Sequence, residues 1–204
     1  RINEDGTIRI IMQDGINNNA NIAFNSNNNN YTYMYYTNSQ AKTQLESWYQ
    51  TNIGNKLNLA NKVDSGNYYC EQAKVKYDDS WTSGSAVMTT YNKYTPDFKC
   101  STDGNGKGLV NASVGLLSYD EVVYAGGYPY SNNTNYYLYN NKNLWTISPA
   151  GYGSDVSFMW CIGIARIEYT YMSNNLRLNP VLNLAINTQI LSGDGTKNNP
   201  FVVE

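Results

Sequence analysis

The apolar positions of this chain follow two periods, one helical and one extended. Ala41, Leu45, Trp48, Tyr49 and Ile53 recur at helical spacing, with Thr43, Glu46, Ser47 and Gln50 on the opposite face. Ser39 or Asn38 stands where a cap belongs and Gly54 lies just past the end. The spacing predicts a one-sided helix over 39–53, packed on a core. A second helix is predicted over 118–125. Ser118 caps it, Glu121 completes a capping box, Val122, Val123 and Tyr124 supply apolar contact, and Gly126-Gly127 stops it.

Elsewhere the period is two. Residues 7–13 alternate as a strand and end at the Asp14-Gly15 turn signal. Residues 17–30 form an Asn-rich tract, read as a loop with one extended piece at Ile22-Ala23-Phe24. Residues 31–36 read as a strand or an irregular aromatic segment. From 57 to 108 the chain is polar and predicts short irregular elements. Beyond that, 136–139 leads into 144–149, followed by 156–164, 167–172 and 180–184. These read as sequential strands of an antiparallel sheet, with a turn at 192–196 and a short closing strand at 200–203. No repeat or linker divides the chain. The pattern predicts one α+β domain with few helices on small antiparallel sheets and much irregular structure. Its helix-bearing N-terminal half is 1–115 and its strand-rich C-terminal half is 116–204.

Composition changes this picture in one respect. Of 204 residues 41% are hydrophobic, but 20 are Tyr, and charged residues are only 15%. Roughly thirty Asn carry the polar surface, well above ordinary usage. Asn and Tyr offer hydrogen bonds and amphipathic contact without the desolvation cost of charge, the mixture that antibody paratopes use. AT-rich codon usage produces the same bias. The net charge of −2, with no basic run, argues against nucleic-acid binding. No apolar stretch is long enough to span a membrane. The chain begins Arg1-Ile2-Asn3 and reads as a mature or excised fragment, so membrane attachment is expected only through a missing N-terminal segment.

Three cysteines are present, none in a C-x-x-C, and the chain has no His, so a zinc site is hard to assemble. A disulfide in an exported protein is the better reading. Cys70 and Cys100 both flank polar segments and are the expected pair. Cys161 lies in the apolar run Phe158-Met159-Trp160-Cys161-Ile162 and reads as a small buried hydrophobe.

Catalytic constellations are missing. Zero His removes Ser-His-Asp and Cys-His catalysis. Asp155 and Glu168 are the carboxylates nearest a candidate face, and single acids on strands are usually solvated. Gly104-Asn105-Gly106-Lys107-Gly108 lacks phosphate-loop spacing and reads as a turn. Asp78-Asp79 and Asp103 could hold a structural Ca²⁺, although no EF-hand loop is present. No cofactor is expected otherwise.

The C-terminal pieces carry a resemblance. Residues 117–127, then Leu144-Trp145-Thr146-Ile147-Ser148-Pro149, then Pro180-Val181-Leu182-Asn183-Leu184, then Ser192-Gly193-Asp194-Gly195-Thr196 and Asn199-Pro200-Phe201-Val202-Val203 follow in a fixed order. Over about residues 115–204 the chain resembles bacterial surface and pilin-associated modules with a C-type-lectin-like fold. That fold is shared with variable proteins of diversity-generating retroelements and the formylglycine-generating-enzyme superfamily. Where such modules usually show Gly-Val-Arg-Pro, this chain has Arg177-Leu178-Asn179-Pro180. The sugar-site patterns of calcium-dependent lectins are absent. The resemblance implies that the segment between Pro149 and Pro180 is the variable, ligand-facing part.

Within 150–175, Tyr152, Ser154, Trp160, Ile162, Arg166, Glu168, Tyr169 and Tyr171 mix aromatic anchors with a cation and hydrogen-bonding groups. Trp, Tyr and Arg are the types that dominate binding energy at interfaces. A period of two sends about half of these residues to the core, and the sequence does not set which half. The expectation is a non-enzymatic, extracellular or cell-surface domain, on a bacterial cell or on an appendage such as a pilus. It recognises a protein or a glycan on a host or bacterial surface. The alternative is the structural globular head of a pilin or surface fibre.

Overall fold

A computed structural model describes residues 1–3, 5–64, 68–71, 87–88, 95–98, 100, 109–194, 196, 198–199 and 201–203. Its strands in chain order are β1 (Ile8–Ile11), β2 (Asn21–Ala23), β3 (Tyr68–Cys70), β4 (Val87–Met88), β5 (Leu109–Asn111), β6 (Leu144–Gly153), β7 (Val156–Ile162), β8 (Ile167–Tyr171), β9 (Asn175–Arg177), β10 (Val181–Leu184), β11 (Ile190–Ser192) and β12 (Val202–Val203). Its helical elements are α1 (Ile16–Asn19), a single left-handed turn, and the helices α2 (Gln40–Tyr49), α3 (Leu57–Ala60) and α4 (Tyr119–Tyr124). The protein is mixed α+β, with few helices and several small sheets.

The strongest helical period gives the longest helix. Ser39 accepts the amide hydrogen of Lys42 and so caps α2, while Ala41, Leu45 and Tyr49 are buried. The helix runs on as a π-helical turn over Gln50–Gly54. At α4 the predicted capping box forms: the Ser118 hydroxyl accepts from the Glu121 amide at 3.2 Å, and the Glu121 carboxylate accepts from the Ser118 amide at 2.9 Å. Val122 and Val123 are buried, while Tyr124 is 65% exposed and makes its apolar contact with the Phe98 ring, 5.5 Å away between centroids, at the surface.

The Asn-rich tract turns rather than wanders. Asn17, Asn18 and Asn19 have φ of 53°, 57° and 64°, the left-handed region that Asn tolerates better than most residues. The Asn19 side chain closes the turn, accepting from the Gly15 amide and donating to Asp14. Residues 31–36 are not a strand. They form 3-10 turns at Tyr31–Met34 and Tyr36–Asn38, because Asn30 captures the Thr32 amide as a helical cap and sends Met34 and Tyr36 into the core.

The central sheet runs β2-β9-β6-β7-β8, with β4 pairing β6. Its contacts are antiparallel except for the parallel pairing of β6 with β9 at Leu144 and Arg177. The expectation of one antiparallel sheet is therefore corrected. β10 leaves it to pair with β1, and β11 pairs with β12. The two halves of the chain interleave, since β1 and β2 add to β10 and β9. One buried apolar cluster extends from Ile16 to Leu182.

Two covalent or ionic ties hold the N-terminal pieces. Cys70 and Cys100 form the expected disulfide, with Cα atoms 5.6 Å apart. Arg9 Nε lies 2.6 Å from the Glu121 carboxylate, both side chains nearly buried, and its guanidinium covers the Tyr69 ring at 4.5 Å. Tyr69 in turn donates to the Val181 carbonyl and packs so closely on Gly115 that any Cβ there would meet its ring.

Candidate aromatic face

The register of β7 against β8 decides which side chains share a face. Phe158, Trp160 and Ile162 stand opposite Tyr171, Tyr169 and Ile167, so these six project together. Met159 and Cys161, opposite Thr170 and Glu168, project to the other side. Hydrogen bonds from Gly163 to the Arg166 carbonyl, 2.8 Å, and from Met172 to the Ser157 carbonyl, 3.2 Å, bracket the ladder. By the alternation of antiparallel pairs, the even-numbered residues of β8 bond to β7. Ile167, Tyr169 and Tyr171 aim their N–H and C=O groups at the outer edge.

Burial falls steadily along the aromatic face. Ile162 and Trp160 are buried because α4 lies over them, with Tyr119 4.8 Å from Trp160 between ring centroids. The helix is held there by the Tyr119 amide bonding to Ser148 and the Ile147 amide to the Leu117 carbonyl. Phe158 is half-buried, while Tyr169 and Tyr171 are 41% and 47% exposed. Tyr130 joins them from the segment beside β8. Tyr130 lies 5.9 Å from Trp160 and 6.2 Å from Tyr169. Tyr169 stands edge-on to both Trp160 and Phe158 at 5.7 Å, and Phe158 lies 4.9 Å from Tyr171. Edge-to-face contacts of this kind fix ring positions beyond simple burial. Burial and the neighbouring Tyr169 push the Tyr130 phenol up to about 12, so at neutral pH it offers a neutral O–H.

On the opposite side Met159 and Cys161 are buried, and a mostly polar groove lies beside them. Asn143, Cys161, Glu168, Thr170, Asn174, Asn175 and Leu176 line a groove of about 330 Å³. The Arg166 guanidinium donates to Glu168 at 3.0 Å, an exposed ion pair. Burial, then the Glu168 charge, pushes the Cys161 thiol up to about 12, which removes it as a nucleophile near neutrality.

The eight residues expected in the site therefore separate. Tyr169 and Tyr171 reach solvent on the aromatic face, with Trp160 as its buried floor. Arg166 and Glu168 lie at the polar side of the same edge. Ile162 is 2% exposed and belongs to the core rather than the surface. Tyr152 is also buried, its hydroxyl donating to Asp155 at 3.0 Å and its ring edge-on to Tyr31. Ser154 is exposed on the turn between β6 and β7, with φ of 50°. Phe158 and Tyr130 were missed. Phe158 carried a signal, since it shares the parity of Trp160, whereas Tyr130 lies outside the strands and carried none.

No group of three or more metal-binding side chains occurs among the described residues. Asp78-Asp79, Asp103 and the segment 104–108 lie outside them. Among the described residues no helix is long and apolar enough to cross a membrane. Comparison with protein-family models, curated proteins and solved structures finds no match to this chain.

Proposed function

We propose that this chain is an extracellular, non-enzymatic binding domain that recognises a protein or glycan ligand through the aromatic face of β7 and β8. The observation that carries this reading is the row of exposed rings, Tyr130, Tyr169 and Tyr171, with Phe158 half-buried between them and Trp160 buried beneath. Rigid aromatic side chains offer contact area at little entropic cost, and such residues dominate interface energetics. The disulfide fits an oxidising compartment. The order of motifs over 115–204 supports a C-type-lectin-like C-terminal half, similar to the variable proteins of diversity-generating retroelements. Tyr169 and Tyr171 lie within the segment between Pro149 and Pro180, and this supports the reading. Screening the purified chain against glycan and surface-protein arrays tests the reading. Saturable binding lost in a Tyr169→Ser, Tyr171→Ser double variant supports it, and binding indifferent to both changes refutes the site.

A second reading, the structural head of a pilin or surface fibre, has its own observation. Ile186, Ile190, Leu191, Phe201 and Val202 are all exposed on and beside the β11–β12 hairpin. A two-stranded hairpin of this kind is only marginally stable alone, and an apolar surface suits assembly contacts. Self-association lost on Leu191→Lys would favour that reading.

A further inference from the structure

Among the described residues, the outer edge of β8 is covered along half its length only. The Tyr128 carbonyl accepts from the Ile167 amide at 2.9 Å, and the Tyr130 amide donates to the Ile167 carbonyl at 3.0 Å. This short parallel pairing at Pro129 and Ile167 then stops. Tyr130 has a left-handed φ of 58°, which turns the chain back so that Asn133 bonds to Ala165 instead of continuing beside β8. The next outward groups are the Tyr169 N–H, the Tyr169 C=O and the Tyr171 N–H. Among the described residues no strand pairs with them, while the Tyr171 C=O accepts from Asn174. Unpaired strand-edge groups of this kind are a template for another extended chain.

We propose that an extended segment of a protein partner adds as a strand to this edge, bonded to Tyr169 and Tyr171, in line with residues 128–130. The proposal rests on the aromatic face described above and names its ligand class as a polypeptide rather than a glycan. Two features select that class. Sugar hydroxyls can bond single main-chain groups, but an extended polypeptide matches the strand repeat of outward N–H and C=O groups, so that main-chain pairing gives affinity and side-chain alternation gives specificity. The two sides of β8 also differ. Alternate residues of an added strand meet Tyr130, Tyr169 and Tyr171 on one side, and Glu168 and Thr170 on the other. The edge therefore fits a segment alternating apolar or aromatic residues with polar ones. A second copy of β8 in antiparallel pairing fits poorly, because Pro129 already occupies the place beside Ile167.

The test screens the whole chain against arrayed decapeptides that alternate Val or Tyr with Thr or Lys, and against linear glycans. Amide hydrogen exchange is then followed by NMR with the tightest binder. In the free protein the Tyr169 and Tyr171 amides exchange faster than those of Glu168 and Thr170. The expected result is peptide binding that slows Tyr169 and Tyr171 exchange by about tenfold or more. Tyr169→Pro, which removes an edge N–H outside the β7–β8 ladder, weakens binding about tenfold beyond Tyr169→Ala. Glycan binding that depends on the rings but leaves those amides unprotected overturns the strand proposal and preserves the aromatic face. Peptide binding indifferent to Tyr169→Ala and Tyr171→Ser, yet protecting both amides, preserves the edge and refutes the ring face. Absence of any peptide binder overturns the strand proposal.

Discussion

Tyr169 stands edge-on to Trp160, with ring centroids 5.7 Å apart and planes at 89°, and only Tyr169 reaches solvent. The pair separates support from display. Trp160 is 5% exposed beneath α4, so Trp160→Ala leaves a cavity and costs about 3–5 kcal/mol of stability. Tyr169→Ala loses mainly ring contacts, worth about 0.5–1.5 kcal/mol. Urea denaturation of the two variants gives the ratio directly. Equal losses would mean that Tyr169 is a core residue and not a presented one.

The Arg9–Glu121 pair predicts a second asymmetry. Glu121 both closes the α4 capping box and neutralises Arg9, with side chains only 9% and 7% exposed. Removing Glu121 strands the Arg9 charge in a nearly dry site, so Glu121→Gln is expected to destabilise by about 3–5 kcal/mol. Arg9→Met costs less, because Glu121 keeps the Arg1 guanidinium at 3.5 Å. The double variant should recover part of that loss, and strict additivity of the two changes in a double-mutant cycle would show that the groups are uncoupled.

The cysteines should divide cleanly. Reducing Cys70–Cys100 opens a loop with a sequence separation of 30 and lowers stability by about 3–4 kcal/mol in the chain-entropy treatment. Cys161 is 2% exposed and should resist an alkylating reagent until the protein unfolds. Mass spectrometry after alkylation with and without urea checks both claims. Rapid native labelling of Cys161 would contradict its burial.

Alkaline pH acts through buried acids. Burial, then Glu168, pushes the Cys161 thiol from its ordinary 9.0 to about 12, and burial, then Tyr139, pushes the Tyr136 phenol from 10.0 to about 12. Burial also raises Tyr36 and Tyr69 above the ordinary phenol value. Between the ordinary and the raised values the unfolded chain has released protons that the folded chain retains. Stability therefore falls as pH rises above about 9, and continues to fall towards about 12. A urea midpoint that stays level between about pH 7 and about pH 11 would refute this.

Much of the frame was legible where local chemistry decides the outcome. Ser39, Ser118 and Glu121 fix helix starts through bonds within a few residues, and the spacing of Ala41, Leu45 and Tyr49 needs nothing distant to be read. Residues 31–36 stayed open between a strand and an irregular segment because alternating Tyr mimics a strand, while the Asn30 cap that decides it is a single hydrogen bond. β9 and β11 have three residues each, too few to show a period. The aromatic face was legible as a parity and no further. Phe158, Trp160 and Ile162 share one side by spacing, but their graded burial comes from where α4 and Tyr130 lie across the sheet. That is a tertiary fact, and it moved Ile162 and Trp160 inside while leaving Tyr169 and Tyr171 at the surface.

The most direct measurement is the affinity of the whole chain for the first ligand captured on the protein and glycan arrays. It is compared between the native sequence and the Tyr169→Ser, Tyr171→Ser double variant at matched folded fraction. Loss of about 2 kcal/mol or more, a thirtyfold weakening, is the result expected of exposed aromatic anchors. Unchanged affinity in a folded double variant would contradict the aromatic face as the binding site.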